Sequence, residues 1–100
     1  MARTKIAETH ELPPGQAKVV AAGGKTLALF NCDGTFYAVD NTCRHRGGPL
    51  GEGELEGTVV TCPWHGWQYD VTTGANAANP AVTIACFPVT VEGGTVYVDI

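Results

Sequence analysis

Four residues of the types that bind transition metals stand in two short groups of the sequence. Cys43 and His45 form the first group, in the pattern C-x-H, and Cys62 and His65 form the second, in the pattern C-x-x-H. Thiolate sulfur and imidazole nitrogen are ligands of zinc and of iron–sulfur clusters. A core strand has no need of a cysteine–histidine pair flanked by glycine and proline. We therefore predict that the four side chains bind one metal centre.

Two kinds of metal centre fit these ligands. A single tetrahedral zinc ion takes two cysteines and two histidines, but zinc sites usually place the cysteine pair on one segment and the histidine pair on another. Here each segment carries one of each, which suits a two-iron cluster with the cysteines on one iron and the histidines on the other. The spacing favours a 2Fe–2S cluster. A zinc-stabilised binding module is the alternative.

The composition limits what kind of protein surrounds this centre. Residues 1–100 are enough for one domain, and the formal net charge of −4 leaves no basic stripe for nucleic acid. An acidic surface suits a basic partner protein. We find no signal peptide and no apolar run of membrane-spanning length, so we expect a cytoplasmic protein without membrane association. In that reducing compartment, Cys32 and Cys86 are predicted to be free thiols.

Short β-type segments must position the two groups, since no long stretch has helical periodicity. Five short β-type runs are separated by Gly-Gly or Asp-Gly turns or by long loops, and the last two alternate apolar with polar residues: 16–22, 25–31, 35–39, 87–92 and 95–100. The last two predict a hairpin that pairs Val91 with Val96 and Val89 with Val98. Pro88 should lie at the edge or start of a strand.

The segment between these hairpins differs in composition. Residues 40–57 contain five glycines and few apolar side chains, which is typical of a long functional loop. A short strand at 58–62 then delivers Cys62 into a second loop, and residues 72–80 form a third. We therefore predict an all-β protein, a basal antiparallel sandwich or barrel with a small cluster-binding subdomain at about 42–68.

The two groups also resemble the motifs of a known family. The sequences CRHRGGPL and CPWHGWQYDVTTG resemble the two cluster-binding boxes of Rieske proteins, C-x-H-x-G-x-x-L and C-P-x-H-G. The stretch LGEGELEGTVVTCPWHG is similar to the soluble Rieske ferredoxins of bacterial aromatic-ring dioxygenase systems. The resemblance covers about residues 4–100. It implies one Rieske-type 2Fe–2S cluster, with Cys43 and Cys62 on one iron and His45 and His65 on the other, near the surface.

The resemblance implies a one-electron carrier that is not itself an enzyme. A flavoprotein ferredoxin reductase would be the electron donor and a terminal aromatic-ring-hydroxylating dioxygenase the acceptor, both docking near the tip formed by His45 and His65. A complete oxygenase needs a further mononuclear iron site, and only His10, an expected surface residue, remains for it. The small Rieske subunit of an assimilatory nitrite reductase is the alternative within the same family.

Residues around the ligands are expected to set the reduction potential. High-potential Rieske subunits carry a disulfide at the positions of Gly48 and Trp64 and a serine at the position of Trp67. With fewer hydrogen bonds to sulfur, this chain should have a low to intermediate potential, which Tyr69, matching the family's cluster-directed tyrosine, raises somewhat.

The remaining nearby residues have two readings each. The glycines could donate backbone N–H groups to sulfur or serve turn geometry, and the tryptophans could cover the cluster or fill the core: Gly47, Gly48, Gly66, Trp64 and Trp67. The charged side chains could meet a partner or be merely solvated: Arg44, Arg46, Glu52, Glu54 and Glu56.

Overall fold

The structure is a computed structural model that describes residues 3–43, 48–64 and 66–100. Two short 3-10 helices, Thr9–Glu11 and Leu50–Glu52, accompany the strands in these ranges. The strands are β1 (Arg3–Glu8), β2 (Ala17–Ala22), β3 (Lys25–Cys32), β4 (Thr35–Asp40), β5 (Glu54–Glu56), β6 (Val59–Thr61), β7 (Gln68–Asp70), β8 (Cys86–Phe87), β9 (Val89–Glu92) and β10 (Thr95–Asp99).

The strands form three antiparallel sheets, which confirms the predicted all-β class. The first sheet has the order β1-β10-β9, the second β2-β3-β4-β8 and the third β5-β6-β7. The first two sheets pack on each other as a basal sandwich, while the third sheet packs on the opposite face of the second. The third sheet and the segments that lead into it carry the predicted metal ligands. Its last strand ends at Asp70, two residues beyond the predicted subdomain boundary at 68.

Strand β3 contributes to two separate hydrophobic cores. Successive side chains of a strand point to opposite faces, so Leu27 and Leu29 face the first sheet while Ala28, Phe30 and Cys32 face the third. The basal core lies between the first two sheets: Ala7, Leu12, Val20, Ala22, Leu27, Leu29, Phe36, Ala38, Val96 and Val98. The distal core lies between the second and third: Ala28, Phe30, Cys32, Val39, Cys43, Leu50, Val60, Cys62, Tyr69, Val71 and Ile84.

The three predicted hairpins form with tight two-residue turns. Both turn residues have positive φ in each case, for example 53° at Asp33 and 95° at Gly34. Such turns match the right-handed twist of the strands they join, which is why Gly-Gly and Asp-Gly predicted them. The C-terminal register is also as predicted, with Val96 opposite Val91 and Val98 opposite Val89. Val91 is 45% exposed, however, so it is not part of the buried face.

Several segments differ from the sequence prediction. The run 87–92 is not one strand, because Pro88 separates β8 in the second sheet from β9 in the first. Proline cannot donate a ladder hydrogen bond, so it is the natural point for the chain to change sheets. The sequence analysis missed β1, whose charged residues concealed a strand that pairs with β10. It also assigned β5 to a loop.

The two cysteines outside the predicted ligand set, Cys32 and Cys86, both lie in the second sheet. Cys32 and Cys86 are free thiols, as predicted. Cys32 lies opposite Thr35 and Cys86 opposite Val39, so the two occupy different levels of the second sheet. Over the ranges that the structure describes, no helix has the length and apolarity needed to cross a bilayer.

Candidate metal centre

The first ligand segment is a loop that closes on itself after β4. Thr42 and Pro49 form an isolated antiparallel bridge, and the backbone N–H of Cys43 donates to the carbonyl of Gly48 at 3.0 Å. Leu50, which follows, is fully buried in the distal core and anchors the return of the chain. These contacts fix Cys43 at the neck of the loop, with its side chain 2% exposed.

The second ligand segment is a tighter loop between β6 and β7. The N–H of Cys62 donates to the carbonyl of Trp67 at 2.7 Å, and the N–H of Gly66 donates to the carbonyl of Cys62 at 3.2 Å. Gly66 has a φ of 78°, a conformation that glycine adopts without steric strain. Cys62 therefore also stands at a neck, pinned by the two strands that flank its loop.

The two loops bring the cysteine side chains together in the distal core. Burial raises the pKa of the Cys62 thiol, the backbone N–H of Trp64 opposes this by donating to its sulfur, and a hydrogen bond with the Cys43 thiol raises it again. Two thiols in one buried cluster, both nearly inaccessible to water, are the donor set that one iron of a cluster requires. The residues present therefore fit a cysteine-bound metal centre.

Tyr69 places a hydroxyl beside one of these sulfurs. Its side chain is fully buried, and its oxygen lies 3.5 Å from Sγ of Cys43. The backbone of Tyr69 pairs with Val60 on β6 and bridges to Asn76 on its other side, and these pairings fix the point from which the side chain enters the core. Once Cys43 is a thiolate, the phenol can only donate to it, and a donated hydrogen bond stabilises negative charge on sulfur.

Gly48 allows the two loops to approach each other. A Cβ atom at this position would lie 2.6 Å from Sγ of Cys62 and 3.2 Å from Cβ of Trp64. No side chain fits at such distances, so the backbone of the first loop packs directly on the ligand of the second. The sequence analysis offered Gly48 as an N–H donor or a turn residue, whereas close approach is the role that its surroundings show.

The two tryptophans of the second loop differ in environment. Trp64 is 51% exposed, while Trp67 is half-buried and packs against the distal core. Of the two tryptophans, Trp67 is therefore the one that packs on the core that contains the cysteine pair. The sequence analysis missed the backbone N–H of Trp64, because main-chain donors leave no trace in residue types.

Several predicted site residues lie outside the described residues. These are both histidines of the predicted ligand set and three neighbours in the first loop: His45, His65, Arg44, Arg46 and Gly47. The acidic residues are described, with Glu52 in a 3-10 helix and Glu54 and Glu56 exposed on the edge strand β5. His10 is exposed in the first 3-10 helix, as predicted.

This arrangement suits a cofactor that is shielded from water on its cysteine side. Buried thiols on two loops, with an adjacent phenol donor and a half-buried indole, are typical of a protein that carries a metal–sulfur centre for electron transfer. Comparison with known proteins agrees. The protein-family model of the Rieske [2Fe-2S] domain matches residues 2–88 of the sequence, so the chain belongs to the Rieske family. Its cofactor is accordingly one Rieske-type 2Fe–2S cluster.

Similar proteins include ferredoxins of aromatic dioxygenase systems. The chain is 38% identical over 92 residues to the ferredoxin component of the naphthalene 1,2-dioxygenase system of Pseudomonas aeruginosa, covering 91% of this chain and 88% of that protein. It is 39% identical over 101 residues to the ferredoxin component of biphenyl 2,3-dioxygenase of Rhodococcus jostii (strain RHA1), covering 100% and 94%. These relatives are electron-transfer components, and the chain is accordingly an electron carrier and not an enzyme.

Solved structures show the same architecture. The ferredoxin of Sphingomonas yanoikuyae B1 superposes with a TM-score of 0.89 at 33% identity, covering 99% of each chain. A chain from a complex of reduced oxygenase and oxidized ferredoxin in carbazole 1,9a-dioxygenase superposes with a TM-score of 0.88 at 37% identity, covering 96% of this chain and 91% of that one. A nitrite reductase small subunit at 21% identity shows the shared fold alone.

Proposed function

We propose that the protein carries single electrons from a flavoprotein ferredoxin reductase to the terminal oxygenase of an aromatic-ring-hydroxylating dioxygenase system, in the cytoplasm. The pair of buried, mutually contacting thiols at Cys43 and Cys62 carries the proposal. Two relatives of the protein are ferredoxin components of naphthalene and biphenyl dioxygenase systems, and one similar chain belongs to an oxygenase–ferredoxin complex.

The proposed ligands are Cys43 and Cys62 for one iron and His45 and His65 for the other. When bound, a Rieske cluster supplies a one-electron couple. The chain's own residues exclude water from the cysteine side, since Leu50 and Val60 are fully buried in the distal core and Trp67 packs against that core. Because each loop contributes one cysteine and one histidine, both loops must hold their conformation for the centre to form.

The proposed exit for the electron is the histidine end of the two loops. Pro63 and Trp64, which stand between Cys62 and His65 in the chain, are both exposed. Tunnelling between proteins requires the cofactor to come close to the partner, so donor and acceptor should each dock at this tip. The exposed carboxylates of Glu52, Glu54 and Glu56 are proposed to act only at longer range, through attraction of a basic partner.

We expect a reduction potential in the lower to middle part of the Rieske range, which spans about −150 to +300 mV. Tyr69 places a hydroxyl that can donate a hydrogen bond to the sulfur of Cys43, whereas Trp67 stands where high-potential relatives carry a serine, whose hydroxyl donates such a bond. Each such bond favours the more negative reduced state and raises the potential. A redox titration that gives a value near the upper limit would contradict this account.

The cofactor and its ligands are tested together by iron and sulfide analysis, a visible spectrum and EPR of the reduced protein. We expect His45→Ala and Cys62→Ser to abolish the Rieske-type EPR signal. His10→Ala and Cys86→Ser are matched controls that change the same residue types outside the site and should keep it. Colourless wild-type protein with one zinc and no sulfide would establish the zinc module instead.

The acceptor is tested by stopped-flow oxidation of the reduced protein. We expect rapid oxidation by at least one terminal oxygenase from the naphthalene, biphenyl and carbazole systems, and reduction by the matching flavoprotein reductase. Oxidation by an assimilatory nitrite reductase alone, with none of the oxygenases reacting, would favour the alternative partner.

A further inference from the structure

One loop outside the two ligand segments lies directly against the second of them. Residues 76–82, with the sequence NAANPAV, follow the third sheet. The N–H of Ala77 donates to the carbonyl of Gln68 at 2.8 Å, and Asn76 bridges to Tyr69. The loop is therefore attached to the strand that begins where the second ligand loop ends.

The loop is held rigid by its own hydrogen bonds. The buried side-chain oxygen of Asn76 accepts from the N–H groups of Ala78 at 2.9 Å and Asn79 at 3.0 Å. The N–H of Val82 donates to the carbonyl of Asn79 at 2.9 Å, and the N–H of Asn76 donates to the carbonyl of Val82 at 2.8 Å. These bonds leave little backbone freedom to lose when another protein binds.

The exposed part of the loop is small and uncharged, and apart from Asn79 it is apolar. Residues 77–81, which we call the platform, are all exposed and include three alanines and a proline. Alanine and proline have no rotamer entropy to lose on contact. A cleft of about 350 Å³ opens beside the platform, between it and Gly66, Trp67 and Gln68 of the second ligand segment. It offers a place for a side chain of a partner.

The segment of the sequence that contains the platform carries little charge. Between Glu56 and Glu92, Asp70 is the sole aspartate, glutamate, lysine or arginine in the sequence. A docking surface made from this segment therefore recognises an uncharged partner face by shape and apolar contact. An added carboxylate there would be buried without a partner, which costs affinity.

We propose that the platform at 77–81 is the part of the docking surface by which this protein recognises its acceptor oxygenase. The inference rests on the proposed function. The ligand loops are constrained by the metal centre that they hold and by the close packing at Gly48. The platform adjoins them without supplying a ligand, so its residues are free to match one acceptor face and to mismatch others. Its rigidity lowers the ordering cost of that contact.

The test measures binding of the oxidised holoprotein to the terminal oxygenases of the naphthalene, biphenyl and carbazole systems by calorimetry. Ala78→Glu, which places a carboxylate in the cleft, should raise the Kd for the preferred oxygenase about tenfold or more. Ala81→Glu on the exposed rim is the second variant. Ala78→Ser should bind as the wild type does. Ala21→Glu makes the same charge change on an exposed alanine of β2 and should have no effect.

The midpoint potential and EPR spectrum of each variant separate docking from damage at the metal centre, and we expect both to be unchanged. If Ala78→Glu and Ala81→Glu bind as tightly as Ala21→Glu, the platform is not the recognition surface. If the wild type binds no oxygenase at all, the proposed function is wrong. A wild-type dimer in sedimentation velocity that Ala78→Glu dissociates would assign the platform to self-association and overturn the inference.

Discussion

The two cores of the protein share a strand and differ in chemistry. On one face of β3, Leu27 and Leu29 pack in a basal core whose members are all hydrocarbon side chains. On the other face, Ala28 and Phe30 join a distal core that also holds two thiols in mutual contact and a phenol hydroxyl. Both are buried to a similar degree. The difference is that one core contains polar groups and the other does not.

This difference links the distal core, but not the basal core, to the cofactor. Hydrocarbon side chains are stabilised by burial alone, whereas a buried thiol binds a metal only as the thiolate and releases its proton to solvent when the metal binds. Binding of a metal centre to the folded form therefore adds to the stability of the region that holds it. We expect the basal sandwich to persist when the distal region loses its cofactor, and four measurements test this asymmetry.

Loss of the cofactor should have the largest effect, and it should be local. We expect Cys62→Ser to abolish cluster binding and to lower amide protection in β5, β6 and β7, while β3, β9 and β10 stay protected. The reason is that the third sheet has three strands of only three residues each and depends on the centre that its loops hold. Hydrogen exchange with mass spectrometry measures both regions. Equal loss in all sheets, or loss in Cys86→Ser as well, would contradict the asymmetry.

A cavity in the basal core should destabilise the protein without changing the cofactor. Leu29 is fully buried, so Leu29→Ala is expected to lower the free energy of unfolding by about 2–5 kcal/mol. The visible spectrum and potential should stay as in the wild type, because Leu29 faces away from the distal core. Denaturant unfolding followed by far-UV circular dichroism gives the stability. A shifted potential in Leu29→Ala would show that the two cores are coupled.

Crowding the two ligand loops should act on the cofactor first. In Gly48→Ala the new methyl group would lie 2.6 Å from Sγ of Cys62, so we expect a clear fall in iron and sulfide content per chain. Gly57→Ala is the control. A methyl group at Gly57 would meet no other atom, and its φ of 62° makes the substitution strained without crowding the ligand loops. It should cost about 1–2 kcal/mol in stability and leave the cofactor content unchanged. Full loading of Gly48→Ala would mean that the loops can separate.

Removal of one hydrogen bond in the distal core should give the smallest effect. Tyr69→Phe keeps the buried ring and deletes the hydroxyl at 3.5 Å from Sγ of Cys43. Because a donated bond favours the reduced state, its loss should lower the midpoint potential, by some tens of millivolts for a bond of about 0.5–1.5 kcal/mol. Tyr37→Phe, at a partly buried tyrosine on the same core, should not change the potential. A potential that rises in Tyr69→Phe would contradict the assigned direction of donation.

The features that could be predicted from the sequence are those that depend on residues close together in the chain. Glycine and Asp-Gly turns determine hairpins through φ, so three hairpins and the C-terminal register were predicted correctly. Likeness to a family motif directed Tyr69 toward the cluster, but the contact of its hydroxyl with Sγ of Cys43 was not specified by the sequence. Strands β1, β5 and β7 were not predicted, because their short or charged sequences become strands only through pairing with neighbours.

The sequence by itself determined which groups are available to bind a metal, because residue types and their spacing are properties of the chain: one thiol and one imidazole in each of two segments, within an all-β domain. The tertiary structure decided what surrounds each thiol. It placed Gly48 against Cys62 and Trp67 on the distal core, while leaving Trp64 about half exposed. It also placed residues 77–81 beside the second loop. Such contacts join residues far apart in the chain through a common fold, and no local pattern encodes them.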